Sequence, residues 1–229
     1  MRLSVLPALA LFAGCSAEPA PEAAPSPTPT LAAPRTLVAA DFDPAMLGAH
    51  VAGMKPTNVE VGDGVARVTA FVACPKGMTA CDPASLPDGT VLTYVLTITP
   101  GAHEQPRPVP SAVASPGAGE SPLAPVEAPA ELVGMTRAAP GFEGAVGFSR
   151  AEAAAALGAE DALTVMLDEN RLIWRVTQGS GWRADQPITL WWQSTRAPGK
   201  PVAAYRIEYA GKHAEVTAPF PAEQVENSP

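Results

Sequence analysis

Short runs of apolar residues, either continuous or alternating with polar ones, dominate the chain beyond residue 57. Such runs, bounded by Gly, Asp and Asn, are typical of strands joined by tight turns. The turn sequences Gly62-Asp63-Gly64 and Asp168-Glu169-Asn170 each separate two runs and predict two hairpins. The pattern predicts strands at 58–61, 65–74, 90–98, 162–167, 172–177, 188–195 and 202–209, and a further strand at 132–136.

Two helix signals interrupt this pattern. Asp43 followed by Pro44 is a favourable start, with Asp as the N-cap and Pro in the first turn, and it predicts a helix that ends near Gly53. Ser149 and Glu152 form a capping box, which predicts a second helix that runs through 153–157 and ends at Gly158. The chain is therefore expected to contain two short helices.

The order of the predicted elements is similar in the two halves of the chain. Each half reads helix, strand, tight turn, strand, loop, strand, without clear residue-level identity. A small meander with one helix has too few elements to enclose a stable core alone, so the two halves are expected to pack on one another. The expected fold class is α+β, with an antiparallel β-sheet, two short helices and two helix-plus-meander halves. An internal duplication is a hypothesis from element order alone.

Two stretches rich in proline and alanine flank the first half. Residues 17–34 are nearly devoid of large apolar side chains, so they cannot bury enough surface to offset the entropy of ordering, and we expect a tether over 15–40. Residues 100–129 contain eight prolines and are either a linker between two halves or a disordered insertion between two strands; we favour the insertion. The folded domain is expected over 41–220, followed by a tail at 221–229.

The first fifteen residues have the pattern of an export signal. Arg2 precedes an apolar stretch over 3–12, which is too short to span a bilayer but has the length of a signal-peptide core. The stretch ends in Leu11-Phe12-Ala13-Gly14-Cys15, which resembles the lipobox of bacterial lipoproteins. The alternative is an ordinary secretory peptide with an incidental cysteine.

The lipobox resemblance implies a signal peptide over 1–14 and a mature protein that begins with an acylated Cys15 and is anchored in a membrane. Ser16, rather than Asp, follows the cysteine, and in Gram-negative lipoproteins this implies sorting to the outer membrane. Several acyl chains, such as palmitate, would hold the protein durably, because each buried methylene contributes about 0.8 kcal/mol. The membrane is therefore an expected partner, and the expected location is its periplasmic side.

The remaining cysteines, Cys74 and Cys81, form a single candidate pair. Six residues separate them in a turn-rich sequence, which is not the two-residue gap of redox motifs, so we expect a structural disulfide. A free thiol pair and half of a metal site are the alternatives, although no histidine lies nearby in the sequence to complete a ligand set.

Aromatic residues are the most informative chemical feature of the second half. All four tryptophans fall within residues 174–192, and two tyrosines follow them. If one face of the sheet is open, these residues would form a binding surface for sugar rings or for an envelope protein. The alternative is that they belong to the core. The candidate surface comprises Trp174, Trp182, Trp191, Trp192, Tyr205 and Tyr209.

Signals for catalysis are weak. His50, His103 and His213 are scattered without a zinc-protease spacing, and no catalytic residue, metal site or cofactor is predicted. The formal net charge of -8 argues against a basic surface for nucleic acid. We therefore expect a non-enzymatic binding or scaffolding lipoprotein of the cell envelope. The alternatives are a cell-wall hydrolase with catalytic residues far apart in sequence, and a purely structural module.

Overall fold

The computed structural model describes residues 33–51, 57–61, 64–100, 132–179, 182–183, 185–209 and 212–222. The expected signal peptide over 1–14, Cys15, most of the tether, the proline-rich insertion after Pro100 and residues 223–229 of the tail lie outside the described residues. The described strands and helix all belong to the domain that follows Pro34.

The described residues contain thirteen strands and one α-helix. In chain order the strands are β1 (Arg35–Leu37), β2 (Ala40–Asp41), β3 (Leu47–Val51), β4 (Thr57–Val61), β5 (Gly64–Pro75), β6 (Leu92–Pro100), β7 (Leu132–Met135), β8 (Phe142–Phe148), β9 (Leu163–Asp168), β10 (Arg171–Val176), β11 (Ile188–Ser194), β12 (Val202–Tyr209) and β13 (Lys212–Ala218). The helix α1 spans Arg150–Leu157, and a short 3-10 turn spans Pro44–Met46.

These strands form two sheets. Sheet A has the order β1-β9-β10-β7-β12-β13 and sheet B the order β2-β8-β11-β6-β5-β3, with β4 also paired to β5. The described pairs are antiparallel except for β2 with β8, which is parallel. Apolar side chains of both sheets belong to one hydrophobic core, so the fold is a β-sandwich.

The expected α+β class with two helices is wrong, because the domain is nearly all β-sheet. Asp43 does cap a turn, and its Oδ1 accepts a hydrogen bond from the Ala45 amide at 2.8 Å, but the turn ends after three residues. Leu47 then adopts an extended conformation and starts β3, which pairs with β5. Pairing of this segment with an existing strand therefore prevails over the local helix signal.

The two-halves arrangement is also not observed. Strands β8 and β11 come from the second half of the chain, yet both lie in sheet B, where β11 pairs with β6 of the first half. The chain passes from one sheet to the other six times: between β1 and β2, β6 and β7, β7 and β8, β8 and β9, β10 and β11, and β11 and β12. The core is therefore shared across the chain rather than assembled from two separate meanders.

The predicted strands and hairpins are found close to their expected positions. The hairpin of β4 and β5 closes with Val61 opposite Gly64, and residues 62–63 of its turn lie outside the described residues. The turn between β9 and β10 places Glu169 and Asn170 at φ of 48° and 61°, as a tight hairpin turn requires. Five strands were not predicted at their sites: β1, which lies in the expected tether, β2, which begins at the last residue of that tether, and β3, β8 and β13.

The alternation of side chains along the strands determines which residues point into the core. On β6, Leu92, Tyr94, Leu96 and Ile98 are all buried in it, which confirms the predicted inward face. The adjacent residue Val95 is buried too, but it is not part of this core. Other inward residues of the two sheets are Val68, Ala70, Val72, Val133, Val146, Phe148, Val165, Leu172, Leu190, Ile207 and Val216.

The second face of sheet B is also covered at its centre. Trp191 and Val95 do not belong to the shared core, yet they are only 2% and 3% exposed. At the edges of this sheet, Asp41 ends β2 and Leu47 begins β3, so residues 42–46 connect one edge to the other.

A disulfide joins Cys74 at the end of β5 to Cys81 in the following loop, as expected from the sequence. The two Cα atoms lie 5.8 Å apart, and Cys74 is fully buried in the core. Cys81, Met78 and Leu86 of the same loop pack against the core. The bond therefore holds the loop between β5 and β6 against the end of the sandwich, and the chain-entropy model gives it about 2.5 kcal/mol of stabilisation.

Helix α1 follows the capping signal in the sequence. The Ser149 hydroxyl accepts a hydrogen bond from the Glu152 amide at 3.3 Å, and Gly158 ends the helix in a left-handed conformation. The Glu152 carboxylate does not complete a reciprocal box, because Oε2 accepts from the Thr189 amide at 2.6 Å. Ser149 donates its own amide to the Thr189 carbonyl at 2.9 Å. The cap therefore continues the pairing of β11 where β8 ends. No helix in the described ranges has the length and apolar character needed to cross a membrane.

We predict that Glu152→Ala lowers the free energy of unfolding by about 1.5–3 kcal/mol, because the Thr189 amide loses a charged acceptor. Glu160→Ala is the matched control, since Glu160 is exposed beyond the end of α1 and should change stability by less than about 0.5 kcal/mol. Urea denaturation of both variants measures the difference. Equal stability of the two variants would show that the Glu152 contact contributes nothing.

Candidate binding groove

Three of the six aromatic residues proposed as a surface are core residues. Trp174, Trp192 and Tyr205 are each no more than 3% exposed and belong to the shared core. Trp174 Nε1 donates to the Gly147 carbonyl at 3.0 Å, and Trp192 Nε1 donates to the Tyr205 hydroxyl at 3.1 Å. Their polar atoms are therefore used within the domain, and these three side chains do not face a ligand on the surface.

Burial also fixes the charge state of two core tyrosines. Desolvation raises the pKa of Tyr94 well above its usual value, and the nearby Tyr205 adds to this rise. Desolvation likewise raises the pKa of Tyr205, although the hydrogen bond from Trp192 lowers it in part. Tyr94 stacks on Trp192 with 4.7 Å between ring centroids and donates its hydroxyl to the Arg196 carbonyl at 2.9 Å. Both tyrosines are neutral structural groups near neutral pH.

The other two aromatic residues whose side chains the structure describes, Trp182 and Trp191, do not lie together. Trp182 is half-buried beside the core and donates Nε1 to the Gln186 carbonyl at 3.0 Å. Trp191 lies on the outer face of sheet B, 2% exposed, with its Nε1 lacking a hydrogen-bond partner in the structure. The side chain of Tyr209 lies outside the described residues, although its backbone ends β12. The described members of the proposed surface are thus divided among the core, its border and a second face.

The described surface instead carries an open groove of about 450 Å³ on the outer face of sheet A. This volume lies within the usual range for ligand sites, about 300–1,000 Å³. The groove crosses five adjacent strands, from β9 to β13. Its lining residues are Gly134, Met135, Thr136, Asp168, Arg171, Ile173, Arg206, His213 and Glu215.

Strand register places Gly134 at the centre of this groove. Ile173 of β10 lies opposite Gly134, Arg206 of β12 lies opposite it on the other side, and Glu215 of β13 lies opposite Arg206. A Cβ atom added to Gly134 would meet only the Ile173 side chain, at 3.8 Å. The row across sheet A therefore has side chains on both flanks and bare backbone between them, which makes the floor of the groove.

Ion pairs hold the two groove arginines in place. Arg171 contacts the Glu169 carboxylate at 2.8 Å and the Asp168 carboxylate at 3.6 Å. Arg206 contacts Glu208 at 2.6 Å, within its own strand. Each guanidinium is thus oriented by a neighbouring carboxylate and keeps further N–H groups, because arginine carries five donors.

Several polar groups of the groove have no partner within the described part of the chain. Arg171 Nε is inaccessible to solvent and makes no hydrogen bond. Glu215 and His213 have neither a hydrogen bond nor an ion pair, and Arg206, the cross-strand neighbour of Glu215, pairs with Glu208 instead. Arg171 Nε is thus enclosed by the domain, whereas the exposed side chains of Glu215 and His213 are open to solvent.

Of the two histidines that the structure describes, His213 lies in the groove and His50 does not. His50 is exposed on β3 and stacks on Phe71 with 4.4 Å between ring centroids, and His103 lies outside the described residues. The described residues contain no group of three or more His, Cys, Asp and Glu side chains placed to hold a metal ion. Sequence reasoning did not identify the groove. Gly134 within an otherwise apolar strand was the one available signal, since an interior strand glycine often marks a close approach of another molecule.

Comparison of the chain with protein-family models, with curated proteins and with solved structures finds no match. The function of the domain is therefore inferred from the residues of this chain alone.

Gly134 and Gly147 provide a matched test of this geometry. Gly134→Ala should leave the free energy of unfolding unchanged or raise it by up to about 1 kcal/mol, because the added methyl group meets open space and alanine loses less backbone freedom on folding. Gly147→Ala should lower it by about 1–3 kcal/mol, because the methyl group would collide with the Ala40 backbone. Chemical denaturation measures both. An equal loss in the two variants would contradict the open floor at Gly134.

Proposed function

We propose that this chain is a lipid-anchored protein on the periplasmic side of the outer membrane, and that its sandwich domain binds a partner without catalysis. The observation that carries the binding role is the groove of about 450 Å³ on sheet A, with its bare floor at Gly134 between flanking side chains. The aromatic surface considered from the sequence has no part in this proposal, since three of its members fill the core.

Two features support the location. The first is the sequence Leu11-Phe12-Ala13-Gly14-Cys15, which resembles a lipobox. The second is the disulfide between Cys74 and Cys81, because disulfides persist in oxidising compartments such as the periplasm. An acylated Cys15 and an oxidised domain both fit export across the inner membrane.

The positions of the groove carboxylates favour binding over glycan hydrolysis. Asp168 and Glu215 lie on β9 and β13, four strand spacings or about 19 Å apart along sheet A. The two carboxyl groups of a glycosidase usually lie about 5–9.5 Å apart. Asp168 is also paired with Arg171. Asp168 and Glu215 are therefore too far apart to act together as an acid and a base on one bond. They are better placed to contact separate parts of a bound partner.

The anchor is tested by Cys15→Ser in the full chain. We expect the parent protein in the outer-membrane fraction and the variant in the soluble periplasmic fraction, because the variant has no thiol to acylate. Ser16→Ala is the control and should stay with the membrane. Recovery of Cys15→Ser in the membrane fraction at the level of the parent would refute lipid anchoring.

The binding role is tested by photo-crosslinking in intact cells. A photoreactive residue at position 213, beside the groove, should form a discrete adduct that Gly134→Leu removes, because the leucine side chain fills the floor. The same residue at position 67 is the control, since Arg67 is exposed on sheet B. The absence of an adduct at 213, or identical adducts at both positions, would favour a purely structural module.

A further inference from the structure

We propose that residues 35–42 form a strap that releases from the domain under tension on the chain before it, while the rest of the sandwich stays folded. The strap contains β1 and β2 and comes directly after the proline-rich residues 17–34. This inference rests on the proposed lipid anchor, because the anchor is what would transmit tension to Arg35. It adds a conformational device at the junction between the anchor and the domain.

The position of the strap makes it the first element to carry such a load. β1 pairs with β9 at one edge of sheet A, and β2 pairs with β8 at one edge of sheet B. Only Val38 and Ala39 separate the two strands, so the strap passes from one sheet to the other along one side of the sandwich. A pull on the chain before Arg35 therefore reaches these pairings before it reaches the rest of either sheet.

The strap is held with little burial. No residue in 35–42 is buried, and Val38 is 94% exposed. Leu37 and Ala39 are the strap residues that pack against the core, whereas β8 and β9 contribute fully buried residues to it. Segments with few buried apolar contacts open at a lower free energy than core strands. The strap should therefore open before the domain unfolds.

The strap nevertheless has a fitted seat on β8. Gly147 lies opposite Ala40, and a Cβ atom at Gly147 would collide with the Ala40 backbone. Gly147 is not among the glycines with a positive φ, so the close approach of the strap, rather than the backbone conformation, requires glycine. The Phe42 amide continues the seat and donates to the Phe148 carbonyl at 3.1 Å.

Arg150, the first residue of α1, holds the strap at two further points. Its guanidinium donates to the Ala39 carbonyl at 3.2 Å, and its backbone amide donates to the Asp41 carboxylate at 2.8 Å. The guanidinium also lies over the Phe148 ring, 5.7 Å from the centroid. Both hydrogen bonds involve a charged group, and such bonds are stronger than neutral ones. Arg150 therefore acts as a latch on the strap.

Shallow burial and a fitted seat together indicate a segment that docks and releases as a unit. A passive linker needs no glycine seat and no latch, and a core strand buries more of its side chains. The eight residues of the strap extend to about 27 Å, and the docked strap already spans the distance of about 10 Å between the sheets. Release therefore lengthens the connection to the anchor by up to about 17 Å.

The test pulls on the full, unacylated chain with magnetic tweezers. One handle is attached to the Cys15 thiol, in the place of the lipid, and the other to an azide-bearing residue at position 67, because Arg67 is exposed on sheet B. We expect a reversible extension of up to about 17 Å at a lower force than the unfolding of the domain. In the control, His50→Cys with Cys15→Ser moves the first handle beyond the strap, and the small extension should be absent.

Two variants change the docking of the strap itself. Thr36 and Met166 are cross-strand neighbours of β1 and β9, and neither is buried, so Thr36→Cys with Met166→Cys should form a disulfide that locks the strap. The locked chain should lose the small extension and keep the later unfolding. Gly147→Ala should also lose it, because the methyl group keeps the strap off β8.

Hydrogen exchange of the Phe42 amide measures how often the strap opens without load. Arg150→Ala should raise the exchange rate of this amide at least tenfold, the equivalent of one hydrogen bond to a charged group. Arg175→Ala is the matched control, since Arg175 is exposed on β10 away from the strap, and it should leave the rate unchanged. Thermal midpoints of both variants report whether the domain is folded.

Three results overturn the inference: unfolding of the parent chain without an earlier extension, a small extension that persists in the locked chain or with the handle at position 50, and equal exchange rates in Arg150→Ala and Arg175→Ala. None of these measurements depends on acylation. If the strap releases as expected but Cys15→Ser stays with the membrane in cells, the proposed anchor fails and strap release stands. If Cys15→Ser leaves the membrane but no small extension occurs, the anchor stands and the strap inference fails.

Discussion

The hydrogen bond from Trp192 Nε1 to the Tyr205 hydroxyl joins the two sheets inside the core. The inward direction of Tyr205 also determines which residues of β12 lie on the outer face of sheet A. Trp192 belongs to β11 of sheet B and Tyr205 to β12 of sheet A. The ring of Tyr94 stacks on the Trp192 indole, and Phe220 packs against the rings of Trp192 and Tyr205. Buried polar groups of this kind must be paired, because an unpaired one costs about 1–3 kcal/mol. The requirement fixes which residues of β11 and β12 point inward.

The direction of Tyr205 determines the composition of the groove. Side chains alternate along a strand, so an inward Tyr205 places Arg206 on the outer face of sheet A. Register then aligns Arg206 with Gly134 on one side and Glu215 on the other. A shift of β12 by one residue would bring a charged guanidinium into the core and remove one wall of the groove. The core contact and the candidate site are therefore set by the same register.

The sequence predicts those parts of the fold in which local signals and tertiary pairing agree. Leu92, Tyr94, Leu96 and Ile98 alternate strictly and form the inward face of β6, and the Ser149 cap starts α1 where expected. Asp43 fails as a helix signal because pairing with β5 takes the residues from Leu47 onward. Strand β13 is missed because its outward residues are charged or polar and only its short apolar face is buried.

The aromatic residues and the groove show a different limit of sequence reasoning. Trp191 and Trp192 are adjacent and point to opposite faces, as the pattern requires, but both are buried, so sheet B is covered on both faces at this position. The alternation along a strand predicts on which face of the sheet a side chain lies, but it does not predict whether another part of the chain covers that face. The groove depends on residues from five strands, which become neighbours through the register across sheet A, and no local pattern encodes that register.

Strand β7, which provides the floor, follows the long segment after Pro100, yet it is paired on both sides by β10 and β12. Loop closure costs only about 0.6 kcal/mol for each doubling of loop length, so the two ladders rather than the preceding chain hold β7 in place. The position of the groove floor therefore follows from the register of β7 with β10 and β12.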